Sequence, residues 1–310
     1  MKILVTGGAG FVGSSLIKFL NSKEIFDINI CELDENYPHR WRNLKDLFYN
    51  QIINEKEIFS SSFKYDAVIH LGANSSTKQE ANIINWNNNI DFSRKLISRA
   101  LDQTYKPIII FASSAAVYGN ETKNFSETLS VNPNSFYGFT KLDIEKWVSS
   151  LESKVLCFRF FNVYGARESY KDSMSSPIYK WLTQKDTDIT LFESANPNFS
   201  SHTMSRDFIH VSDICKVIYH AITEKKINHG IFNIGSGISE TWFNVANLIL
   251  KIKNEQGEIK YSELPHSLRD HYQYRTCANL NKLRNDLGYK NEFLTIEEGI
   301  RVTYEEINNL

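Results

Sequence analysis

The chain opens on Ile3-Leu4-Val5-Thr6-Gly7-Gly8-Ala9-Gly10-Phe11-Val12-Gly13, an apolar run followed by closely spaced glycines. The residues after this stretch have a helical period, so the glycines stand between a strand and a helix. Glycines in such a turn let the backbone approach a pyrophosphate, and the first turn of the helix presents N–H groups to it. The motif therefore predicts a dinucleotide site that includes Gly7, Gly10, Phe11, Val12 and Gly13.

Short apolar runs alternate with helix-like segments through the first half of the chain. The runs cover residues 3–6, 28–31, 67–71, 108–112 and 155–160, and the helix candidates cover residues 11–20, 83–101 and 138–151. Strands that are apolar throughout suit a parallel sheet that is buried on both faces. This alternation predicts an α/β fold built on a Rossmann-type doubly wound parallel sheet.

The pattern becomes less regular after residue 165. Pro177, Pro197, Pro265 and the polar stretch 194–205 interrupt shorter elements there, and we expect a smaller C-terminal α/β substrate domain. The predicted division gives residues 1–165 to the dinucleotide-binding domain, with a later segment at about 206–235 returning to it. Residues 166–310 then form mainly the nucleotide-sugar-binding domain.

The composition limits the possible partners. With 35 basic and 36 acidic residues the net charge is −1, which favours neither nucleic acid nor an anionic membrane surface. No apolar run approaches the roughly 18 residues of a membrane span, and the first strand begins too close to Met1 for a signal peptide to be expected. The four cysteines are isolated, and the eight histidines lack metal-ligand spacing. We expect a cytoplasmic protein without a metal.

An acidic residue follows the second apolar run. Glu32 stands about 20 residues after the glycines, where a carboxylate accepts hydrogen bonds from the adenosine ribose. This position favours NAD. Arg40 and Arg42 follow closely and could pair with a 2′-phosphate, so NADP stays open as the alternative.

A tyrosine and a lysine lie four residues apart at the start of the third helix candidate. Tyr137 and Lys141 should therefore point to one face of that helix. A cation beside a phenol lowers its pKa from about 10, so we expect Tyr137 to take the proton of an alcohol that is being oxidised. Ser114 follows the strand at 108–112 and should hold the reacting oxygen at the carboxyl edge of the sheet.

Together with Asn89, these three residues resemble the Asn-Ser-Tyr-Lys tetrad of the short-chain dehydrogenase/reductase family. The resemblance runs through nearly the whole chain and is to the extended branch, which acts on nucleotide-activated sugars. Four further stretches are similar to the ADP-glycero-manno-heptose 6-epimerases of that branch: Leu-Gly-Ala-Asn-Ser-Ser-Thr at 71–77, Phe-Phe-Asn-Val-Tyr-Gly at 160–165, Lys-Asp-Ser-Met-Ser-Ser at 171–176 and Arg-Asp-Phe at 206–208.

This resemblance implies an NAD(P)-dependent epimerase of a nucleotide-activated heptose, and a homo-oligomer. It implies that Tyr137 and Lys171 serve opposite faces of the sugar, and that Arg206 binds the diphosphate of the substrate as a fork. It adds to the cofactor site Leu33, Leu71, Gly72, Ala73, Asn89, Tyr137, Lys141 and Val163. It places near the substrate Ser75, Ser76, Asn162, Ser173, Phe192, Glu193, Arg206 and Tyr272.

Three features depart from the family's pattern. The segment 194–205 is longer than the corresponding connection, Lys180 stands where a histidine is usual, and Glu32 replaces an aspartate. These departures leave open which sugar and which base the substrate carries, and whether the reaction is an epimerisation.

Four other functions can be compared with the sequence. A nucleotide-sugar 4-epimerase or 4-ketoreductase would use the same scaffold. A 4,6-dehydratase is disfavoured, because Ala115-Ala116 occupy the place of the Asp-Glu pair that eliminates water. A non-catalytic NAD(P)-binding regulator is more distant, because such proteins typically lose the tyrosine or the lysine.

Overall fold

The computed structural model describes residues 1–32, 38–60, 62–75, 83–123, 125–151, 154–224, 229–270 and 272–309. The strands are β1 (Ile3–Thr6), β2 (Ile28–Cys31), β3 (Gln51–Ile53), β4 (Ala67–His70), β5 (Ile108–Ser114), β6 (Val155–Phe160), β7 (Asn162–Tyr164), β8 (Ile189–Phe192), β9 (Ser205–His210), β10 (Gly230–Ile234), β11 (Ser239–Thr241) and β12 (Ile259–Ser262).

The α-helices are α1 (Phe11–Asn21), α2 (Glu55–Ser60), α3 (Ile83–Trp86), α4 (Phe92–Leu101), α5 (Phe136–Ser150), α6 (Pro177–Thr183), α7 (Val211–Thr223), α8 (Trp242–Lys253), α9 (His266–Arg269), α10 (Asn281–Asn285) and α11 (Ile296–Asn308). A π-helical turn at Asn87–Asp91 joins α3 to α4, and a kinked 3₁₀ segment at Ala166–Met174 follows β7. Within the described ranges, no helix is both long enough and apolar enough to cross a membrane.

Seven strands form one parallel sheet in the order β10-β6-β5-β4-β1-β2-β3. The chain moves from β1 outward to β2 and β3 on one side, and then returns to β4 on the other. Such a reversal of strand order opens a crevice at the carboxyl ends of the strands, where ligands bind in this class of fold. The predicted Rossmann-type doubly wound sheet is confirmed.

Helices cover both faces of this sheet. On one face α1 and α7 pack through fully buried residues such as Leu16, Ile17 and Val217, and on the other α4 and α5 pack through Ile97 and Ile144. Full burial of one such side chain stabilises the fold by about 1.5–3 kcal/mol relative to exposure. Because both faces are covered, the strands read as continuous apolar runs, and β1, β2 and β6 begin and end where the sequence predicts.

The later segment predicted to rejoin the sheet divides between two places. β10 pairs in parallel with β6 at the edge of the seven-stranded sheet, and α7 packs on one face of it. β9, in contrast, lies in a separate three-stranded sheet between β7 and β11. A further cluster is built around Trp181, Leu191, Val245, Ile249 and Ile300, and it joins the C-terminal helices to the short pair β8–β12.

Candidate active site

A cavity of about 600 Å³ opens at the carboxyl ends of the central strands. The predicted site residues that line it are Gly7, Gly10, Phe11, Val12, Gly13, Glu32, Leu71, Gly72, Ala73, Ser75, Ser114, Tyr137, Lys141, Asn162, Val163, Lys171 and Ser173. In the described ranges, no group of three or more His, Cys, Asp or Glu side chains is placed to hold a metal ion.

The glycine loop has the geometry of a dinucleotide cradle. Gly7 has a φ of +69°, and a Cβ added there would lie 2.8 Å from the backbone of Gly72. A Cβ on Gly13 would lie 2.2 Å from the carbonyl oxygen of Gly7. Because α1 begins at Phe11, its first N–H groups stand at the end of this loop, as a pyrophosphate requires. These residues fit a dinucleotide.

Glu32 is held at the end of β2 by two contacts. The N–H of Ala9 donates to its Oε1 at 2.5 Å, and a guanidinium nitrogen of Arg40 lies 3.3 Å from its Oε2. Both side chains of this ion pair are nearly buried in the cofactor part of the cleft. Arg42, the other predicted partner of a 2′-phosphate, is exposed. Leu33 lies outside the described residues.

Two consecutive serines at the end of β5 point in opposite directions, as strand residues do. The hydroxyl of Ser113 donates to the buried carboxylate of Glu145 at 2.5 Å, although Ser113 also contributes to the cavity wall. Ser114 lines the cleft and forms a hydrogen bond with the side chain of Tyr137. The structure thus brings Ser114 together with Tyr137 and leaves Ser113 in a supporting position.

The electrostatics of the Tyr137–Lys141 pair differ from the expectation. Loss of hydration raises the pKa of Tyr137 to about 12, and the hydrogen bond from Ser114 offsets this only in part. Burial lowers the pKa of Lys141 to about 7, and its Nζ lies 4.6 Å from the centre of the Phe111 ring and 5.6 Å from that of Tyr137. The predicted lowering of the Tyr137 pKa is therefore wrong for the protein alone, because desolvation outweighs the hydrogen bond from Ser114. A further positive charge bound in the cleft would favour the phenolate.

Asn89 supports the cleft from behind. It is buried in the π-helical turn and does not line the cavity. Its side-chain amide contacts the backbone of Asn74 and the hydroxyl of Thr140. Thr140 in turn donates to the carbonyl of Tyr137. The predicted cofactor residue therefore joins the loop after β4 to the helix that carries Tyr137.

A second group of residues enters the cleft from the 3₁₀ segment. The Nζ of Lys171 donates to Glu168 Oε2 at 3.1 Å and lies 5.2 Å from the centre of the Phe11 ring. Ser173 lines the same wall. Glu168 also lines the cleft. The sequence did not predict this residue, because its contacts with Gly165 and Ser176 form only when the segment folds. Proton-carrying groups thus line the cleft from two separate parts of the chain.

The glycine loop, the Ser114–Tyr137 pair and Lys171 therefore share one cleft. The sequence matches the NAD dependent epimerase/dehydratase family over residues 3–235. The chain belongs to this family. Its membership confirms the predicted relationship to the extended short-chain dehydrogenases/reductases and the prediction of an NAD(P)-dependent enzyme.

Several relatives of this epimerase/dehydratase family member match it end to end. The ADP-L-glycero-D-manno-heptose-6-epimerase of Nitratidesulfovibrio vulgaris (strain DP4) is 31% identical over 311 residues, which cover 96% of this chain and 95% of the relative. Among solved structures, the UDP-N-acetylglucosamine 4-epimerase of Methanobrevibacter ruminantium M1 has a TM-score of 0.82 at 24% identity, over 100% of this chain and 99% of that one. The ADP-L-glycero-D-manno-heptose-6-epimerase of Helicobacter pylori has a TM-score of 0.81 at 24% identity, over 100% and 96%. At this identity the structures show the fold.

Four predicted substrate residues of this family member lie outside the cavity wall: Phe192, Glu193, Arg206 and Tyr272. The buried guanidinium of Arg206 lies 4.9 Å from the ring centre of Tyr272 and 5.7 Å from that of Trp242, and Trp242 lines the cleft. Arg206 and Tyr272 thus form a layer beside the cleft. Phe192 and Glu193 are exposed at the end of β8. Ser76 lies outside the described residues.

Proposed function

We propose that the protein is an epimerase of a nucleotide-activated sugar, and more narrowly a nucleotide-heptose 6-epimerase. The observation that carries the proposal is that Tyr137, with its partner Ser114, and Lys171 line the same cleft from different elements. An epimerase needs a proton carrier for the carbinol in both orientations of the sugar, so two such groups suit it. The heptose epimerase that is 31% identical supports the choice of substrate.

The residues divide the proposed reaction as follows. Ser114 holds the hydroxyl at the reacting carbon. The phenolate form of Tyr137, which a further positive charge bound in the cleft would favour, takes the proton of this hydroxyl and later releases it to solvent. The resulting ketone reorients in the cleft, and Lys171 protonates its oxygen when the centre is reduced from the other face. When bound, a nicotinamide dinucleotide would supply the hydride acceptor and donor, with no net consumption. Lys141 lies behind Tyr137 as a buried amine.

NAD is the cofactor that we propose, with NADP as the alternative. Glu32 is positioned by the Ala9 N–H to meet a ribose hydroxyl, and it would repel a 2′-phosphate. Arg40 could attract such a phosphate, but it is paired with Glu32. Binding constants for NAD and NADP, compared by calorimetry, decide between the two.

The remaining sequence-predicted residues complete the proposal. We propose that Asn162, Ser173 and Ser75, which line the cavity, contact the sugar, and that Arg206, packed on Tyr272 beside the cleft, binds its diphosphate. The division into a dinucleotide domain at 1–165 and a substrate domain at 166–310, and assembly into a homo-oligomer, remain predictions.

A nucleotide-sugar 4-epimerase is the second candidate. The 4-epimerase of Methanobrevibacter ruminantium has nearly the same TM-score as the heptose epimerase of Helicobacter pylori. If Tyr137 alone served both orientations of the sugar in such a reaction, Lys171 would have no part in the chemistry.

One assay separates these candidates. The purified enzyme is incubated in parallel with both C6 epimers of an ADP-activated and a UDP-activated heptose, and with UDP-activated hexoses, without added reductant. The product is read by NMR. Inversion at C6 of a heptose supports the proposal, whereas inversion at C4 alone assigns the 4-epimerase, and turnover only with added NAD(P)H assigns the reductase.

A further inference from the structure

Glu168 is a fully buried carboxylate whose two oxygens each accept two hydrogen bonds. Its Oε1 accepts from the Gly165 N–H at 3.3 Å and from the Ser176 hydroxyl at 2.7 Å. Its Oε2 accepts from the Ser176 N–H at 2.8 Å and from Lys171 Nζ at 3.1 Å. An ionised carboxylate is an acceptor only, so four donors around it match the charged form. A buried negative charge requires a partner cation, and within the described part of the chain Lys171 is the cation that pairs with it.

These partners come from three elements that meet at the wall of the cleft. Gly165 follows β7, Ser176 is the N-cap of α6 and accepts the Tyr179 N–H at 3.1 Å, and Lys171 lies on the 3₁₀ segment between them. Glu168 therefore fixes the position of Lys171 relative to Gly165 and Ser176, which lie on either side of the 3₁₀ segment.

The backbone beside Lys171 is held in an uncommon conformation. Asp172 has a φ of +46° and a ψ of −117°, which breaks the 3₁₀ segment directly after Lys171. Side chains rarely adopt this region, and it persists only where neighbouring contacts enforce it. On the far side of the break, Lys180 Nζ donates to the carbonyl of Ser173 at 2.6 Å. The Lys171 side chain is thus held at a turn that is fixed from both directions.

We propose that Glu168 is a positioning residue, which holds the protonated amine of Lys171 at the wall of the cleft in readiness to donate. The proposal rests on the proposed function of Lys171. When hydride returns to the carbonyl carbon, the electron pair of the C=O π bond takes a proton from Lys171, which becomes a neutral amine beside Glu168. Lys171 is 21% exposed while Glu168 is fully buried, so solvent water can reprotonate the amine and restore the ion pair.

The substitution Glu168→Gln tests this role, because it keeps the size of the side chain and removes its charge. We expect kcat for epimerisation to fall by roughly tenfold or more, because the amine loses both its counter-charge and its fixed position. The KM for the nucleotide sugar and the binding constant for NAD should change by less than about threefold, because the hydrogen bonds of Glu168 run to Gly165, Ser176 and Lys171 and not to the glycine loop or Glu32.

A matched control lies elsewhere in the chain. Asp213 is an equally buried carboxylate on α7, and it pairs with a lysine three residues later, Lys216, at 2.8 Å. Asp213→Asn should lower thermal stability in the same way and leave kcat unchanged. An equal loss of kcat in both variants would assign Glu168 a purely structural role and overturn the proposal.

A double-mutant cycle with Lys171→Met shows whether Glu168 acts through Lys171. We expect Glu168→Gln to cause little further loss once Lys171 is gone. Independent losses that multiply, or wild-type kcat in Glu168→Gln, would overturn the role of Glu168 alone. Wild-type kcat in Lys171→Met would overturn the role of Lys171, and this inference with it. If Glu168→Gln does not fold, Glu168→Asp retains the charge with a shorter reach, and unchanged kcat in that variant contradicts the proposal.

Discussion

The side-chain amide of Asn89 brackets the backbone of Asn74 with two hydrogen bonds. Its Oδ1 accepts from the Asn74 N–H at 2.8 Å, and its Nδ2 donates to the Asn74 carbonyl at 3.0 Å. Because Asn74 follows Gly72 and Ala73, which line the cleft, these two hydrogen bonds fix the position of the loop that forms one wall of the cofactor site. The π-helical turn at Asn87–Asp91 carries Asn89 to this position, and such turns are frequent at functional sites.

Replacing Asn89 by alanine should release this loop. Loss of the bracket leaves buried backbone groups without partners at a cost of about 1–3 kcal/mol, so NAD affinity should fall by roughly tenfold. Asn87→Ala is the matched control, because Asn87 lies in the same turn with an exposed side chain. Calorimetric titration with NAD measures both variants, and equal affinities would contradict this role of Asn89.

The glycine loop makes a second prediction. Gly13→Ala places a Cβ 2.2 Å from the Gly7 carbonyl oxygen, so the loop must move and NAD affinity should fall by more than about tenfold. Gly288 provides a contrast, because it has a φ of +76° with nothing within 4 Å of an added Cβ. Gly288→Ala should lower the free energy of unfolding by about 1–2 kcal/mol through backbone strain, with NAD affinity unchanged. NAD binding at wild-type affinity in Gly13→Ala would argue against the cradle.

The adjacent serines of β5 separate catalysis from support. Ser114→Ala should lower kcat by roughly 10²-fold, as Tyr137→Phe should, because each removes a group placed at the reacting oxygen. Ser113→Ala removes a hydrogen bond to the buried carboxylate of Glu145 instead, so it should lower stability by about 1.5–3 kcal/mol and leave kcat nearly unchanged. Steady-state kinetics and urea unfolding of the three variants provide the comparison. A larger loss of kcat in Ser113→Ala than in Ser114→Ala would reverse the assignment.

His70 predicts how stability depends on pH. Its Nδ1 lies 2.6 Å from the Thr6 hydroxyl and its Nε2 lies 2.7 Å from Ser93 Oγ, and Ser93 donates onward to the Asn89 carbonyl. Because Ser93 donates its hydroxyl proton to the Asn89 carbonyl, it accepts a hydrogen bond from Nε2 of His70. With Nδ1 accepting from the Thr6 hydroxyl, the imidazole is in its neutral form. Burial lowers the pKa of His70 to about 3.

The direction of this pH dependence follows from the number of protons that the folded and unfolded states bind. Between pH 6.5, its ordinary pKa, and about 3, the unfolded chain protonates His70 and the folded protein does not. The contribution of His70 is therefore complete above pH 6.5 and is lost as the pH falls towards 3, by about 2 kcal/mol from pH 7.5 to pH 5. His70→Gln should show a correspondingly flatter dependence in urea unfolding. The same slope in both proteins would mean that His70 titrates while folded.

Five strands of the large sheet, β1, β2, β4, β5 and β6, could be predicted because burial on both faces gives each of them a continuous apolar run. β3 escaped prediction, since Gln51 and Ile52 are exposed at the edge of the sheet. The glycine loop and the Ser114–Tyr137–Lys141 group are local patterns on neighbouring elements, so the sequence reveals them. The ion pair of Glu168 and the high pKa of Tyr137 depend on contacts and desolvation that only the assembled fold creates.

In the proposed reaction, one centre of the sugar is oxidised and then reduced from the other face. The most direct measurement uses a nucleotide-heptose with deuterium at C6, the enzyme with bound NAD, and no added reductant, and follows the product by NMR and the cofactor by absorbance. We expect an inverted C6 that keeps its deuterium, with no reduced cofactor accumulating. Exchange of the C6 label with water, product formed only in proportion to added NAD(P)H, or a change confined to C4 would contradict it.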